Sequence, residues 1–215
     1  MAIQHSQYNV DAPSSVITYL EARHGKESRT GERSDPTANV SVHVLADGYT
    51  ALSVAAKVCA DAGYEPLILS RSIRGEVRDA AKTHVAVAEE VCWTGNPVVP
   101  PAVVLSGGET TVTVSGDGTG GLNLEFALSA ATELPLGVIL GAVDTDGIDG
   151  ATDAVGALVT SETVSGDIGA KAASTALDRN DVYPYLKDRD ALLRSGITGT
   201  NVNDLRILVI PKTKI

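Results

Sequence analysis

The sequence has 215 residues, of which 43% are hydrophobic and only 4% are aromatic, and its formal net charge is −10. Branched aliphatic side chains therefore supply most of the core volume, which favours a layered α/β protein. The acidic balance, without clustered Lys or Arg, argues against binding to nucleic acid or to an anionic membrane. Apolar runs of about 18 residues and leader patterns are absent, so we expect a cytoplasmic protein.

The chain begins with a polar, charged stretch over 1–36 that holds one short helical pattern at 13–23. Pro13 suits the start of that helix. We interpret 1–36 as a peripheral arm. In the next stretch, 37–100, apolar runs alternate with helical patterns, which predicts a β-α-β segment and an amphipathic helix. The predicted elements are a strand at 40–45, a helix at 49–62, a strand at 65–70 and a helix at 75–92.

A proline-rich turn leads into 101–213, where the pattern changes. Gly107 and Gly108 separate two strand-like runs, which predicts a β-hairpin at 102–115. Further on, the predicted elements are a helix from Leu122, a strand at 136–143, helices near 167–177 and 181–194, and a strand at the end of the chain. The fold expected is a mixed sheet with flanking helices, in which 101–213 packs with 37–100 as one domain.

A glycine-rich loop, Gly116–Gly121, lies between a predicted strand and a predicted helix. Backbone N–H groups at such a position can point toward an anion at the start of the helix. We therefore assign phosphate or substrate binding to Gly118, Gly120 and Gly121. The alternative is that the glycines only form a tight turn.

An aspartate-rich loop follows the apolar run that ends at Val143. Ligands gather at the carboxyl ends of strands, and clustered carboxylates repel one another unless a cation compensates them. Mg²⁺ is a natural partner for such a loop. We predict Asp146 and Asp149 as catalytic residues and as metal ligands. The alternative is an ordinary surface turn rich in aspartate.

Two further polar segments occur, Thr198–Asp204 before the last strand and Ser106–Thr110 at the predicted hairpin. Thr200, Asn201 and Asp204 are predicted to line the same cleft as the aspartate loop. Small polar residues also form turns for purely local reasons, so a turn remains the alternative. The sequence contains no Walker-type phosphate loop, no serine nucleophile elbow and no dinucleotide fingerprint in βαβ context.

Several segments, taken in order, resemble the MOFRL module that ends a class of glycerate 2-kinases formerly named hydroxypyruvate reductases. These segments are LSGGETTVTVSGDGTGG, NLEFAL, DTDGIDGATDAVGA, RNDVY and TGTNVNDLRILVI. The resemblance covers 101–210, and VHVLADGYTALSVAAKVCADAGYEPLILS resembles the β-α-β segment that leads into that module.

The resemblance implies transfer of phosphate from ATP to the 2-hydroxyl of D-glycerate, with Mg²⁺ as cofactor. It implies a two-domain fold with the active site in the cleft between domains, and 1–36 resembles the end of a missing N-terminal domain. Asn123 and Glu125 fall within the matching segments and are added to the predicted substrate-binding residues. The alternatives are a catalytically inactive binding protein and, less favoured, a hydroxypyruvate reductase.

The chain departs from the family pattern just after the glycine loop. Where relatives typically have GGRNQE, this chain has Leu122 and Leu124 in place of Arg and Gln. An Arg there would bind a carboxylate or phosphate through two charge-assisted hydrogen bonds, which Leu cannot form. We therefore expect the isolated chain to fold but to show little kinase activity.

Overall fold

The structure is a computed structural model that describes residues 13–23, 41 and 43–212. The chain divides into two compact units, Met1–His43 and Val44–Ile215. In the first unit, helix α1 spans Ser14–Arg23 and directly follows Pro13, as the helical pattern predicted. The rest of the predicted arm lies outside the described residues.

The second unit is a mixed α/β fold. Its helices are α2 (Gly48–Asp61), α3 (Val77–Thr94), α4 (Leu122–Ala131), α5 (Gly166–Asp178) and α6 (Val182–Lys187), with a 3-10 turn at Ser161–Val164. Its strands are β1 (Glu65–Ile73), β2 (Ala102–Gly108), β3 (Ile139–Asp144), β4 (Gly156–Thr160), β5 (Leu192–Leu193) and β6 (Asp204–Ile210). These strands form one sheet in the order β1-β2-β6-β3-β4-β5, which confirms the predicted fold class.

Strand direction decides which loops share an edge of this sheet. β1 and β2 are parallel, whereas β6 is antiparallel to both β2 and β3. β1, β2 and β3 therefore run in the same direction, and their carboxyl ends lie at one edge, where β6 begins. Ligands collect at such an edge in open α/β sheets.

The core lies mainly between the sheet and helices α3 and α4. All seven residues of β2 are buried, and α4 is buried from Asn123 to Ala131. α3 contributes an apolar stripe with helical spacing, including Ala81, Val85 and Ala88. On the opposite face, α2 packs through Leu52. Among the described residues, no helix combines the length and apolarity needed to cross a membrane.

The predicted strand at 40–45 is wrong in its described part. Residues 43–47 have no regular secondary structure, and Val44 and Leu45 are 74% and 95% exposed. The described sheet ends at β1, so the described residues of this run pair with no strand, and Val44 and Leu45 lie in solvent. Alternating apolar residues form a strand only where a partner strand and a buried face exist.

The predicted hairpin is also wrong. β2 continues through Gly107 and Gly108, and 109–115 contains only an isolated bridge between Glu76 and Thr111. β1 and β6 already pair with the two edges of β2, so 109–115 has no free edge to join. Near the C-terminus, the predicted helix at 181–194 ends at Lys187, because the chain then turns to pair β5 with β4.

Candidate functional site

Acidic side chains gather at the end of the sheet where β2 and β3 finish and β6 begins. In the strand register, Asp204 lies opposite both Gly108 and Asp144, and Glu109 directly follows β2. Burial raises the pKa of Asp144, the hydrogen bond from the Asp146 N–H opposes that shift, and the charges of Asp146 and Glu109 add to it. We name Glu109, Asp144, Asp146 and Asp204 the carboxylate edge.

The carboxylate of Asp204 is held in place from two sides. Asn123 Nδ2 donates to its Oδ1 at 2.7 Å, and Arg206 Nη2 donates to its Oδ2 at 2.8 Å. Arg206 is fully buried, lies over the Phe126 ring at 4.7 Å and also donates to Thr110 Oγ1 at 3.0 Å. Burial raises the pKa of Asp204, while Arg206 acts in the opposite direction. This carboxylate has a fixed position.

Asp149, predicted to be catalytic, caps helix α4. Its Oδ1 accepts from the backbone N–H of Asn123 at 3.0 Å, and its Oδ2 accepts from that of Leu124 at 2.8 Å. The N-cap position itself is Gly121, which has no side chain to do this. Burial raises the pKa of Asp149 to about 6, although the two amide hydrogen bonds oppose that shift. Its carboxylate therefore occupies the position at the helix start where a bound anion was predicted.

The glycine loop packs against the turn between α5 and α6. The N–H of Gly118 donates to the carbonyl of Arg179 at 3.1 Å, so it is not free for the predicted phosphate contact. A Cβ on Gly118 would lie 2.5 Å from Asp181 Cα, which explains the glycine by close packing. Gly120 and Gly121 line a small pocket of about 240 Å³. Their predicted role in substrate binding stays a prediction.

Glu125 lies on the other side of α4 from Asp204. It is 2% exposed, and Arg78 Nε donates to its Oε1 at 2.8 Å. Asn180 Nδ2 donates to both of its carboxylate oxygens at 3.2 Å. Glu125 also lines the 240 Å³ pocket. Its bonds join α3, α4 and the α5–α6 turn, so packing accounts for its presence.

The aspartate loop and the segment before β6 contact each other. Asn201 Nδ2 donates to Asp146 Oδ2 at 3.3 Å, and the Asp146 N–H donates to Asp144 Oδ1 at 3.1 Å. Thr198 joins the two segments, because its N–H donates to the Asp146 carbonyl at 2.9 Å and its hydroxyl to the Thr200 carbonyl at 3.1 Å. The two predicted polar segments therefore meet at the carboxylate edge.

The structure brings most of the predicted residues together and separates others. Asp149 lies directly beside Gly121, since a Cβ on that glycine would lie 2.7 Å from the Asp149 carbonyl oxygen. Asn123 connects Asp149 to Asp204 and so to the carboxylate edge. Glu125 and the Gly118 amide belong instead to internal packing.

Sequence reasoning did not select Asp144, Arg71 or Arg74. Asp144 is the last residue of β3, and Arg71 and Arg74 lie at the end of β1, at the same edge of the sheet. The signal that could have found them is the rule already applied to Asp146, that residues at the carboxyl ends of strands face ligands. Among the residues described, no three His, Cys, Asp or Glu side chains are grouped to hold a metal by themselves.

Comparison with known proteins gives the fold a context. Residues 102–204 match the MOFRL family. A D-glycerate 2-kinase of Thermotoga maritima is 39% identical over 177 residues, which are 80% of this chain and 42% of that protein. A protein of Agrobacterium vitis named as a hydroxypyruvate reductase is 37% identical over 211 residues, 95% of this chain and 47% of its own length.

Structural comparison agrees with these relatives. The crystal structure of a glycerate kinase from Thermotoga maritima has a TM-score of 0.79 at 35% identity and covers 92% of this chain and 50% of that one. The chain thus spans about half the length of the relatives it matches. The similarity extends well beyond the MOFRL segment. The chain therefore carries a MOFRL-family segment and is homologous to one half of glycerate 2-kinases, some of whose relatives carry the name hydroxypyruvate reductase.

Proposed function

We propose that this chain takes part in the ATP-dependent phosphorylation of the 2-hydroxyl of D-glycerate, giving 2-phosphoglycerate and ADP. The observation that carries this proposal is the carboxylate edge, where Asp204 is held rigidly beside Asp144. Phosphoryl transfer depends on positioning and on charge neutralisation more than on covalent help from the protein. The glycerate kinase names of the relatives support the same reaction.

Asp144 is suited to orient the acceptor hydroxyl and to take its proton. Burial raises its pKa, which makes it a better proton acceptor than an ordinary carboxylate. Asp204 has a donor on each oxygen and is buried, so it is better suited to fix the site than to accept a proton. In this assignment Asp149 positions α4 and is not a catalytic residue.

Mg²⁺ fits Asp146 in the aspartate loop, because carboxylate oxygens are ligands that this ion prefers, and Asp144 is then left to accept the proton. Asp149 does not fit that role, since it is 1% exposed and both of its oxygens accept backbone N–H groups at the start of α4, whereas Asp146 is partly exposed. The ion would take its remaining ligands from water and phosphate oxygens and would neutralise charge on the transferred group.

The proposed reaction takes place in a cleft, and it needs groups from both sides of that cleft. The relatives are about twice as long as this chain, and Leu122 offers no charge to an anionic substrate. Catalysis in a cleft requires both walls in one geometry. We therefore expect little turnover by the 215-residue chain alone. The alternative, an inactive binding protein, is favoured by the same leucine and by the self-capped start of α4.

The test is a coupled assay of ADP release with D-glycerate and Mg-ATP, alongside NADH oxidation with hydroxypyruvate. The chain is assayed alone and mixed with the half of the Thermotoga maritima kinase that it does not match, and the intact kinase is the positive control. Glycerate-dependent ADP release in the mixture would support the proposal. Binding without turnover would favour the inactive protein, and NADH oxidation would favour the reductase.

A further inference from the structure

A second polar pocket lies next to the carboxylate edge, at the carboxyl ends of the parallel strands β1 and β2. Its volume is about 530 Å³. It is lined by Arg71, Ser72, Arg74, Gly75, Gly108, Glu109, Thr110, Thr111 and Asn203. We name it the arginine pocket. The end of parallel strands is where α/β sheets place their ligands, so the position favours a binding site.

Two arginines supply positive charge to this pocket. The nearest carboxylate to Arg71 is that of Asp47, at 3.7 Å, and the Arg71 side chain is 65% exposed. Arg74 forms no ion pair with any residue that the structure describes. Both guanidinium groups therefore retain donors for an external acceptor. A planar guanidinium matches carboxylate and phosphate oxygens with paired hydrogen bonds.

A buried hydroxyl gives the pocket a donor that the protein does not use. Thr110 is 2% exposed, and its Oγ1 accepts from Arg206 Nη2 at 3.0 Å. Because Arg can only donate, the Thr110 hydroxyl proton remains available, and within the described part of the chain it has no acceptor. Nε and Nη1 of the buried Arg206 also lack partners there, so their positive charge adds to the field behind this hydroxyl.

The lining of the pocket also includes one acidic residue. Glu109 lines it and repels the carboxylates of Asp144 and Asp204, raising the pKa of both in addition to burial. An anionic group in the pocket is therefore favoured on the arginine side, and a neutral hydroxyl or a cation on the acidic side. A small molecule with an oxyanion beside a hydroxyl fits this division of charge.

We infer that Arg71, Arg74 and Thr110 bind an oxyanion of the reactants, either the carboxylate of a small hydroxy acid or a phosphate of the nucleotide. The inference rests on the proposed function, and it places the anion-binding arginines at the end of β1. Leu122, on α4, cannot supply that charge. With a carboxylate on the arginines, an adjacent hydroxyl would face Asp144 across the same edge.

The test measures binding without turnover. Calorimetric titration of the 215-residue chain uses D-glycerate, inorganic phosphate and ADP, each separately and without Mg²⁺. The variants are Arg71→Gln, Arg74→Gln and the double variant, with Arg71→Lys and Arg74→Lys as conservative partners. Lys171→Gln on α5 is the matched control, because it also removes one positive charge from an exposed side chain. Thermal melts show whether each variant is folded.

We expect each Gln variant to weaken oxyanion binding about tenfold, the double variant more, and the Lys variants less, since a lysine keeps the charge but loses the paired geometry. Lys171→Gln should bind as the wild type does. Losses confined to D-glycerate and phosphate assign the pocket to the acid, and losses confined to ADP and phosphate assign it to the nucleotide.

Equal affinities in the wild type and the Gln variants would overturn the inference, as would the lack of binding of every probe by the wild type. The kinase assay gives a separate answer. Oxyanion binding that depends on the arginines, without ADP release, keeps this inference and removes the proposed function. Glycerate-dependent turnover that is unaffected by the arginine variants keeps the proposed function and removes this inference.

Discussion

The start of α4 and the carboxylate edge contain the same kinds of residue but differ in what those residues bind. At the start of α4, the two N–H groups at Asn123 and Leu124 are taken by Asp149, and the Gly118 amide is taken by a carbonyl. At the carboxylate edge, Asp146 accepts hydrogen bonds from the Ile148 N–H and from Asn201, but both Asp144 and Asp146 remain partly exposed. The first region is closed by the protein's own groups, and the second is open to a ligand.

This difference shows that a glycine-rich loop before a helix is not by itself an anion site. The helix start attracts a negative charge, but here a buried side chain from the same protein supplies it. Charged and hydrogen-bonding groups that remain accessible to a ligand are the better guide to function. On that criterion we propose the carboxylate edge and the arginine pocket as the ligand-binding parts of this domain.

The largest expected effect on stability comes from adding one methyl group at Gly121, just before α4. In Gly121→Ala, the new Cβ would overlap Asp149 Oδ2 and lie 2.7 Å from the Asp149 carbonyl oxygen. Gly121 has extended backbone geometry, with φ at −151°, so the cost is steric and not conformational. We expect the free energy of unfolding to fall by about 3 kcal/mol. Urea denaturation followed by circular dichroism measures it.

Gly169→Ala is the matched control for that variant. Gly169 lies inside α5, and the nearest atom to a new Cβ, Val164 C, would be 3.7 Å away, an ordinary contact. Alanine favours a helix over glycine, so we expect stability to rise by about 0.5 to 1 kcal/mol. Equal effects of the two substitutions would show that Gly121 is not packed against Asp149 as described.

The next effect comes from removing the cap. Asp149→Ala leaves two buried N–H groups at the start of α4 without acceptors, and we expect a loss of about 2 to 3 kcal/mol. Asp149→Asn keeps one acceptor oxygen and should lose less. The same denaturation experiment checks both. A loss of ligand affinity without any loss of stability would instead return Asp149 to the binding site.

Most of the architecture could be predicted from hydrophobic periodicity. α2, α3, β1 and β6 lie close to their predicted positions, and α3 and β6 each bury a regular set of residues. The strand predicted at 109–115 failed because its alternation says nothing about whether a neighbouring strand has a free edge. Pairing of distant strands is a property of the whole sheet, and no local pattern encodes it.

The candidate site was predicted in part, for a similar reason. Clustered aspartates marked the loop that carries Asp144 and Asp146. The role of Asp149 could not be predicted, because the helix start that it caps lies 26 residues earlier in the chain. Arg71 and Arg74 were within reach of the strand-end rule, but an isolated pair of surface arginines has no distinctive spacing.

A third prediction concerns how stability depends on pH through His84, a buried residue of α3. His84 is buried, its Nδ1 donates to the Ala80 carbonyl at 2.7 Å, and its Nε2 therefore accepts from the Ser106 hydroxyl at 2.7 Å. The pKa of His84 is lowered from 6.5 to about 4, chiefly by burial and in part by the charge of Arg206, while the hydrogen bond to the Ala80 carbonyl opposes the shift. The folded protein keeps this imidazole neutral at pH values where the unfolded chain protonates it.

Stability is consequently lost as the pH falls below 6.5, until the folded pKa of about 4 is reached. At pH 5 the loss should be about 2 kcal/mol relative to pH 7. His84→Gln removes this term, so the difference in unfolding free energy between variant and wild type should shift by that amount in favour of the variant. Other titrating groups, Asp149 included, occur in both proteins and cancel. A difference that does not change with pH would contradict the buried neutral imidazole.

The smallest effect on stability, and the most specific effect on binding, belongs to the open region. Asp146 carries no ion pair in the described structure, so Asp146→Asn should change the unfolding free energy by less than about 0.5 kcal/mol. Removing one of the neighbouring carboxylates should nevertheless weaken Mg²⁺ binding several-fold, because a hard cation depends on charged oxygen ligands.

Calorimetry with Mg²⁺ and nucleotide measures the change in Mg²⁺ affinity. Glu133→Gln, an exposed carboxylate just beyond α4, is the control. Unchanged Mg²⁺ affinity in Asp146→Asn would mean that the aspartate loop is an ordinary surface turn, and the contrast between the two regions would then depend on the arginine pocket alone.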